Sequence, residues 1–303
     1  MSVSLHKFTI AYGDVKAVKE LTVQFPEGIT GLLGVNGAGK SSLIKGLLGL
    51  VAIHSGEAKI LGRNVHQEQK AIRQLVGYMP EDDCLIPGLS GIKMVQYAGE
   101  LCGMPRQDAI KRAHEILFLT GLEEARYRKV EGYSAGMKQR IKLAQAIIHD
   151  PKLLFLDEPT SGMDPKGRQE MLDLIMNVTR KGNMSVILAS HILMDVERTC
   201  DRVIMIHQGE LLEEGNMEEF RGNYANAYSV RIEGDKDKFV KALEAGGCEV
   251  KPDGSHLLDV ILPKGKGSDL VLKTAGKTGV QLRRLMPSVQ TLEDVFVKRI
   301  GDK

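Results

Sequence analysis

Apolar residues follow three rhythms along this chain. Over residues 3–25 they alternate with polar ones, the two-residue period of strands with one face in a core. The break at Tyr12-Gly13-Asp14 divides that run into an antiparallel edge sheet. Largely apolar runs at 29–33, 152–156 and 185–189 suit strands covered on both faces, as in a parallel sheet. Residues 57–61 and 75–78 read as further strands, and 203–206 with 211–213 as a hairpin around His207-Gln208-Gly209. From about 90 to 146 the period becomes helical. Val95, Ala98, Leu101 and Cys102 fall on one face there, as do Ile110, Ala113 and Leu117.

The polar, turn-prone stretch 223–226 marks a boundary, giving domains at 1–222 and 227–303. Beyond it the pattern reads strand (228–232), helix (239–245), two strands around Pro252-Asp253-Gly254, helix (270–275), strand (280–285) and a closing helix. The closing helix has Leu292, Val295, Phe296 and Ile300 near one face. This βαββαβ order predicts a small α+β ferredoxin-like domain.

A chain of 303 residues, 43% of them hydrophobic, has room for two such units. No run reaches the roughly 20 apolar residues of a membrane span, and no signal or lipidation pattern is visible. A net charge of +2 gives no support to a nucleic-acid-binding surface. Lys264, Lys266, Lys273, Lys277, Arg283 and Arg284 cluster near the C-terminus, and such a run is ordinarily a solvated face. Cys84, Cys102, Cys200 and Cys248 lack Cys-x-x-Cys spacing, which favours reduced thiols over disulfides or zinc.

The chemistry is concentrated at the ends of the apolar runs. Gly34-Val35-Asn36-Gly37-Ala38-Gly39-Lys40-Ser41-Ser42 follows the first buried strand and opens a helix with Leu43, Ile44, Leu47 and Leu48 at helical spacing. Small residues there let main-chain N–H groups close on phosphate oxygens, and the helix N-terminus adds positive potential. Lys40 would reach the terminal phosphates and the Ser41 hydroxyl would ligate magnesium. Asp157 and Glu158 end the second run, where an unpartnered carboxylate costs several kcal/mol. Magnesium bound through water resolves that cost for Asp157. Glu158 is then the candidate to activate the attacking water, a role worth ~10²–10⁴-fold in rate.

Together with Tyr133-Ser134-Ala135-Gly136-Met137 and the later His191, these elements resemble the ATP-binding cassette (ABC) transporter ATPases over residues 3–220. The resemblance implies a P-loop cassette with a RecA-like core, an antiparallel β subdomain and a helical subdomain at about 88–148. It also implies ATP and Mg2+ as cofactors and catalysis by Glu158, His191 and Lys40. His191 matches the family's switch histidine, which contacts the γ-phosphate. Ser134, Ala135 and Gly136 would cover the γ-phosphate of a second ATPase subunit, itself or a paralogue, in trans. Ser134 can equally cap its own helix, and Ala135, where the family has a second glycine, should keep ordinary dihedrals. Asp164 would sit in the segment that communicates between two ATP sites. Tyr12 is either the ring that stacks on adenine or an exposed turn tyrosine.

Glu81, after Gly77-Tyr78-Met79-Pro80, departs from the family's usual glutamine. Metal ligation and coupling to a membrane partner both remain open for it. The stretch 287–296 resembles the tail of exporter-type relatives. The implied partners are integral membrane permease subunits, with the chain peripheral on the cytoplasmic face of the membrane. The alternative is a soluble cassette ATPase acting on ribosomes or DNA. Its relatives usually carry two cassettes or a long inserted coiled coil, and this chain has neither. A nucleotide sensor without turnover fits poorly with an intact Lys40, Asp157, Glu158 and His191.

Overall fold

The computed structural model describes residues 1–222, 227–252, 257–263 and 265–287. Strands β1 (Val3–Tyr12) and β2 (Val15–Phe25) form the expected hairpin, and β3 (Ile29–Leu33) leads through a loop into helix α1 (Lys40–Leu47). β4 (Ser55–Ile60) and β5 (Arg63–Asn64) complete a four-stranded sheet in the order β2-β1-β4-β5. Helix α2 (Gln69–Leu75) and strand β6 (Val76–Met79) precede a helical block of α3 (Gly91–Leu101), α4 (Arg106–Leu119) and α5 (Ala135–Ile147). Strand β7 (Leu153–Asp157), α6 (Pro165–Gly182), β8 (Ser185–Ser190), α7 (Leu193–Thr199), β9 (Arg202–His207) and β10 (Glu210–Asn216) follow.

The central sheet runs β10-β9-β3-β8-β7-β6, and β9, β3, β8, β7 and β6 pair in parallel. Every residue of β3, β7 and β8 is buried, as strands covered on both faces require. Register sets where the chemistry can sit. Leu33 lies opposite Ser190, Asp157 opposite Ala189, and Leu156 opposite Met79. The loops after β3, β6, β7 and β8 therefore leave one edge of the sheet, the carboxyl ends where open α/β sheets bind ligands. Phe8, Ile10 and Phe25 of the antiparallel sheet share one core with Leu43, Ile44 and Leu47 of α1 and with Phe155 and Ile187. Each fully buried side chain of this kind contributes about 1.5–3 kcal/mol, so the phosphate-loop helix is clamped between two sheets.

The helical block forms as the periodicity requires, but its inner faces are displaced. Gly91, Ile92, Met94, Val95 and Gly99 are the buried residues of α3, while Leu101 is 70% exposed and Cys102 is also exposed. The last turn of α3 packs through Gly99, where a Cβ would stand 3.2 Å from Ile148 and 3.3 Å from Ala109, and turns Leu101 outward. On α4 the buried stripe is Ala109, Ala113, Ile116 and Leu117, leaving Ile110 at the surface.

The chain divides into two compact units, Met1–Glu214 and Gly215–Lys303. In the second, α8 (Met217–Gly222) is followed by β11 (Ala227–Glu233), α9 (Lys236–Ala245), β12 (Glu249–Pro252), β13 (Leu257–Ile261), α10 (Asp269–Thr278) and β14 (Gln281–Pro287). The sheet order β12-β13-β11-β14 with antiparallel pairs is the ferredoxin-like arrangement. Phe239 and Leu243 of α9 and Val271 of α10 pack with Val230, Leu258 and Val260 of the sheet. The boundary at 223–226, the turn at 253–254, Lys264, all but the first residue of the 287–296 tail, and the closing helix with Leu292, Val295, Phe296 and Ile300 lie outside the described residues. Among the described residues no helix is long and apolar enough to cross a membrane.

Candidate functional site

The loop from β3 to α1 is shaped by two glycines. Gly39 has φ 104°, and a Cβ there would stand 2.3 Å from the Ala17 carbonyl oxygen. Both the backbone angle and the close approach exclude a side chain. Gly34 has no positive φ; its Cβ would stand 2.6 Å from the Ile206 carbonyl oxygen on β9. That glycine is needed for strand packing rather than for a left-handed turn. The loop, with Asn36, Gly37, Ala38, Gly39, Lys40, Ser41 and Ser42, walls an open cleft of about 350 Å3 that also touches Ala17, Glu81 and Glu158.

Lys40 is 5% exposed. Its ammonium donates to the Gly34 carbonyl at 2.7 Å and to the Val35 carbonyl at 3.4 Å, and lies 3.3 Å from Glu158 Oε1. The Ser41 hydroxyl donates to Asp157 Oδ1 at 3.0 Å. Asp157 is buried, and burial raises its carboxyl pKa. The Ser41 hydrogen bond and Lys40 oppose the rise, while the charges of Glu81 and Glu158 add to it. Three carboxylates thus gather around one ammonium, a surplus of negative charge that a cation would relieve.

Glu158 is the strained residue of the group. It has φ 49°, rare for a residue with a side chain, and its N–H donates to the Ala189 carbonyl at 2.9 Å. Glu158 is 3% exposed, yet neither carboxylate oxygen has an aligned hydrogen-bond donor. His191 Nδ1 comes within 2.9 Å of Oε2, close enough for an ion pair without being in line for a hydrogen bond. Strain and an unsatisfied buried carboxylate at one residue are costs that functional sites retain.

The cleft does not gather every residue expected of it. Tyr12 ends β1 at 47% exposure and does not line the cleft. Ser134 and Ala135 are exposed, and the 134–136 segment is absent from the cleft of its own chain. Ser134 caps α5, its Oγ accepting from the Met137 N–H at 3.4 Å. Ala135 has no positive φ, so the missing glycine imposes no strain.

Sequence reasoning overlooked three polar contacts that brace these loops. Gln139 donates to the Ser161 carbonyl at 2.9 Å. The Thr160 hydroxyl donates to the buried Asp195 carboxylate at 2.6 Å. Lys142, on α5, meets the carbonyls that follow β6. Only Lys142 offered a signal: it interrupts the apolar stripe Ile141, Leu143 and Ala144.

The same set of elements recurs in known proteins. A family model described as "ABC transporter" matches residues 18–161. The bacitracin transport ATP-binding protein BcrA of Bacillus licheniformis is 34% identical over 97% of this chain and 95% of its own length. The linearmycin resistance ATP-binding protein LnrL of Bacillus subtilis is 38% identical over 68% of this chain and 66% of its own. Among solved structures, cbiO1 of Clostridium perfringens, described as part of the ABC transporter complex cbiONQ, superposes with a TM-score of 0.65 at 26% identity. That match covers 72% of this chain and 89% of cbiO1.

Proposed function

The chain belongs to the ABC transporter family as an ATP-binding subunit, and on that premise we propose how its residues carry out the work. It is an ATPase that energises transport. ATP would lie along the loop 34–42, its terminal phosphates drawing Lys40 away from the carbonyls it now contacts. Ser41 Oγ and Asp157 would hold Mg2+, and Glu81 faces the same cleft; hard oxygen donors in a surplus of negative charge suit that ion. Magnesium, when bound, neutralises charge on the phosphates.

Glu158 would orient water on the far side of the γ-phosphate and accept its proton, with His191 holding the carboxylate and the phosphate in line. The observation that carries this reading is the buried Glu158 carboxylate, flanked by Lys40 and His191 and lacking an aligned donor. Glu158→Gln removes the base and keeps the shape. ATP binding should persist while steady-state hydrolysis falls by about 10²–10⁴-fold; unchanged turnover would refute the assignment.

The absence of Ser134 and Gly136 from their own chain's cleft supports a head-to-tail pair in which each chain covers the other's nucleotide. The second subunit is this chain or a paralogue. The names of BcrA and LnrL support export, and the cbiONQ complex supports separate permease subunits that hold the chain at the inner face of the membrane. Co-purification in detergent, with identification of the associated membrane protein, tests that partnership.

A further inference from the structure

One stripe of α5 and its C-terminal turn lies along the chain from Val76 to Asp83. Lys138, Lys142, Ala146 and His149 recur at spacings of four, four and three, which puts them on one helix face. Each meets a successive part of that segment. Lys138 Nζ donates to Asp83 Oδ2 at 2.7 Å. A Cβ on Gly77 would stand 2.1 Å from the Ala146 carbonyl oxygen, so the two backbones touch there. His149 Nε2 is 3.1 Å from the Val76 carbonyl oxygen.

Between these contacts Lys142 is 1% exposed. Its ammonium donates to the carbonyls of Pro80 and Glu81 at 2.8 Å each and of Asp82 at 3.4 Å. A lysine has three donors and no acceptor, and here all three face consecutive main-chain carbonyls. Burial lowers its pKa, opposed by Cys84, Asp83, Asp82 and Glu81 nearby. Packing alone would favour an apolar side chain at such a position. Residues 80–82 belong to neither helix nor strand, and the middle one, Glu81, lines the cleft.

We propose that Lys142 is a positioning residue for the ATP site: its carbonyl contacts hold the segment carrying Glu81 at the cleft and join it to the helix headed by Ser134. Ser134 caps α5 two turns upstream, roughly 12 Å along the axis at 1.5 Å per residue. The inference rests on the reading of the cleft as the ATP site.

The test is a double-mutant cycle on the purified chain: ATP turnover of wild type, Lys142→Met, Glu81→Ala and the pair. Lys142→Met should lower kcat about tenfold with KM within about twofold. Glu81→Ala should also lower kcat, and adding Lys142→Met to it should cost nothing more, since the lysine acts through that carboxylate. Losses that multiply, or wild-type kcat in Lys142→Met, overturn the proposal; a merely structural role would lower thermal stability and leave the cycle multiplicative. Should Lys142→Met fail to fold, Lys138→Ala breaks the more exposed pair with Asp83 and is read by the same cycle, with a smaller loss expected. A wild-type chain that does not bind ATP would instead defeat the assignment of the cleft, which separates the two failures.

Discussion

Glu158, which is buried, and His149, which is half-buried, both carry buried polar atoms without a matched partner, and they differ in what surrounds them. At Glu158 the left-handed backbone and the carboxylate without an aligned donor stand at a cleft. At His149, Nε2 meets the Val76 carbonyl while Nδ1 is buried with no partner. Burial lowers the pKa of this histidine from its ordinary 6.5, with the Val76 contact and Asp150 partly opposing. The unfolded chain therefore binds more protons than the folded one as pH falls through about 6.5. Thermal stability should be full above that pH and decline as pH drops through the lower folded value. His149→Gln keeps a donor for Val76 and should flatten that acid limb in a melting series from pH 7.5 to 5; an unchanged limb would place its cause elsewhere. Asp157, Glu158 and Lys40 were legible as chemistry because charged residues end or follow apolar runs. His149 carried no such mark, since only packing buries it.

At the scale of elements, α5 shows how much a periodic pattern conceals. The period announces a helix, and Ser134 at its start announces a cap. That its stripe of Lys138, Lys142, Ala146 and His149 lies on β6 and the stretch after it follows only from assembly. The backbone contact at Gly77 gives a direct probe of this. Gly77→Ala inserts a methyl group 2.1 Å from the Ala146 carbonyl oxygen and should destabilise the chain by about 1–3 kcal/mol. Denaturant titration should show a lowered midpoint with an unchanged slope, and an unchanged midpoint would mean that β6 and α5 separate freely. The same dependence on assembly explains α3 and α4. Val95, Ala113 and Leu117 were correctly expected inside, but Leu101, Cys102 and Ile110 are outside, because a period alone does not fix how far around the helix the packed face extends.

Across the whole molecule, the parallel register of β6, β7, β8 and β3 brings loops separated by more than a hundred residues to one edge. The exposed Ser134 segment is left without a phosphate of its own. If that segment serves a partner's nucleotide, mixing chains that carry both Ser134→Arg and Glu158→Gln with chains that carry Glu158→Gln alone should give mixed dimers in which one of the two sites can close and neither turns over. Stoichiometric trapping of nucleotide should then report one occluded ATP per dimer rather than two. The residue types, their spacing and the apolar runs suffice to specify the loop 34–42, the carboxylate pair, the helical block and the βαββαβ order, because each follows from local periodicity and backbone preference. The approach of His191 to Glu158, the bond from Ser41 to Asp157, the placement of Glu81 at the cleft and the burial of Lys142 among three carbonyls arise only when strands pair and helices dock. Contacts between residues far apart in the chain depend on register and packing, which no local pattern encodes.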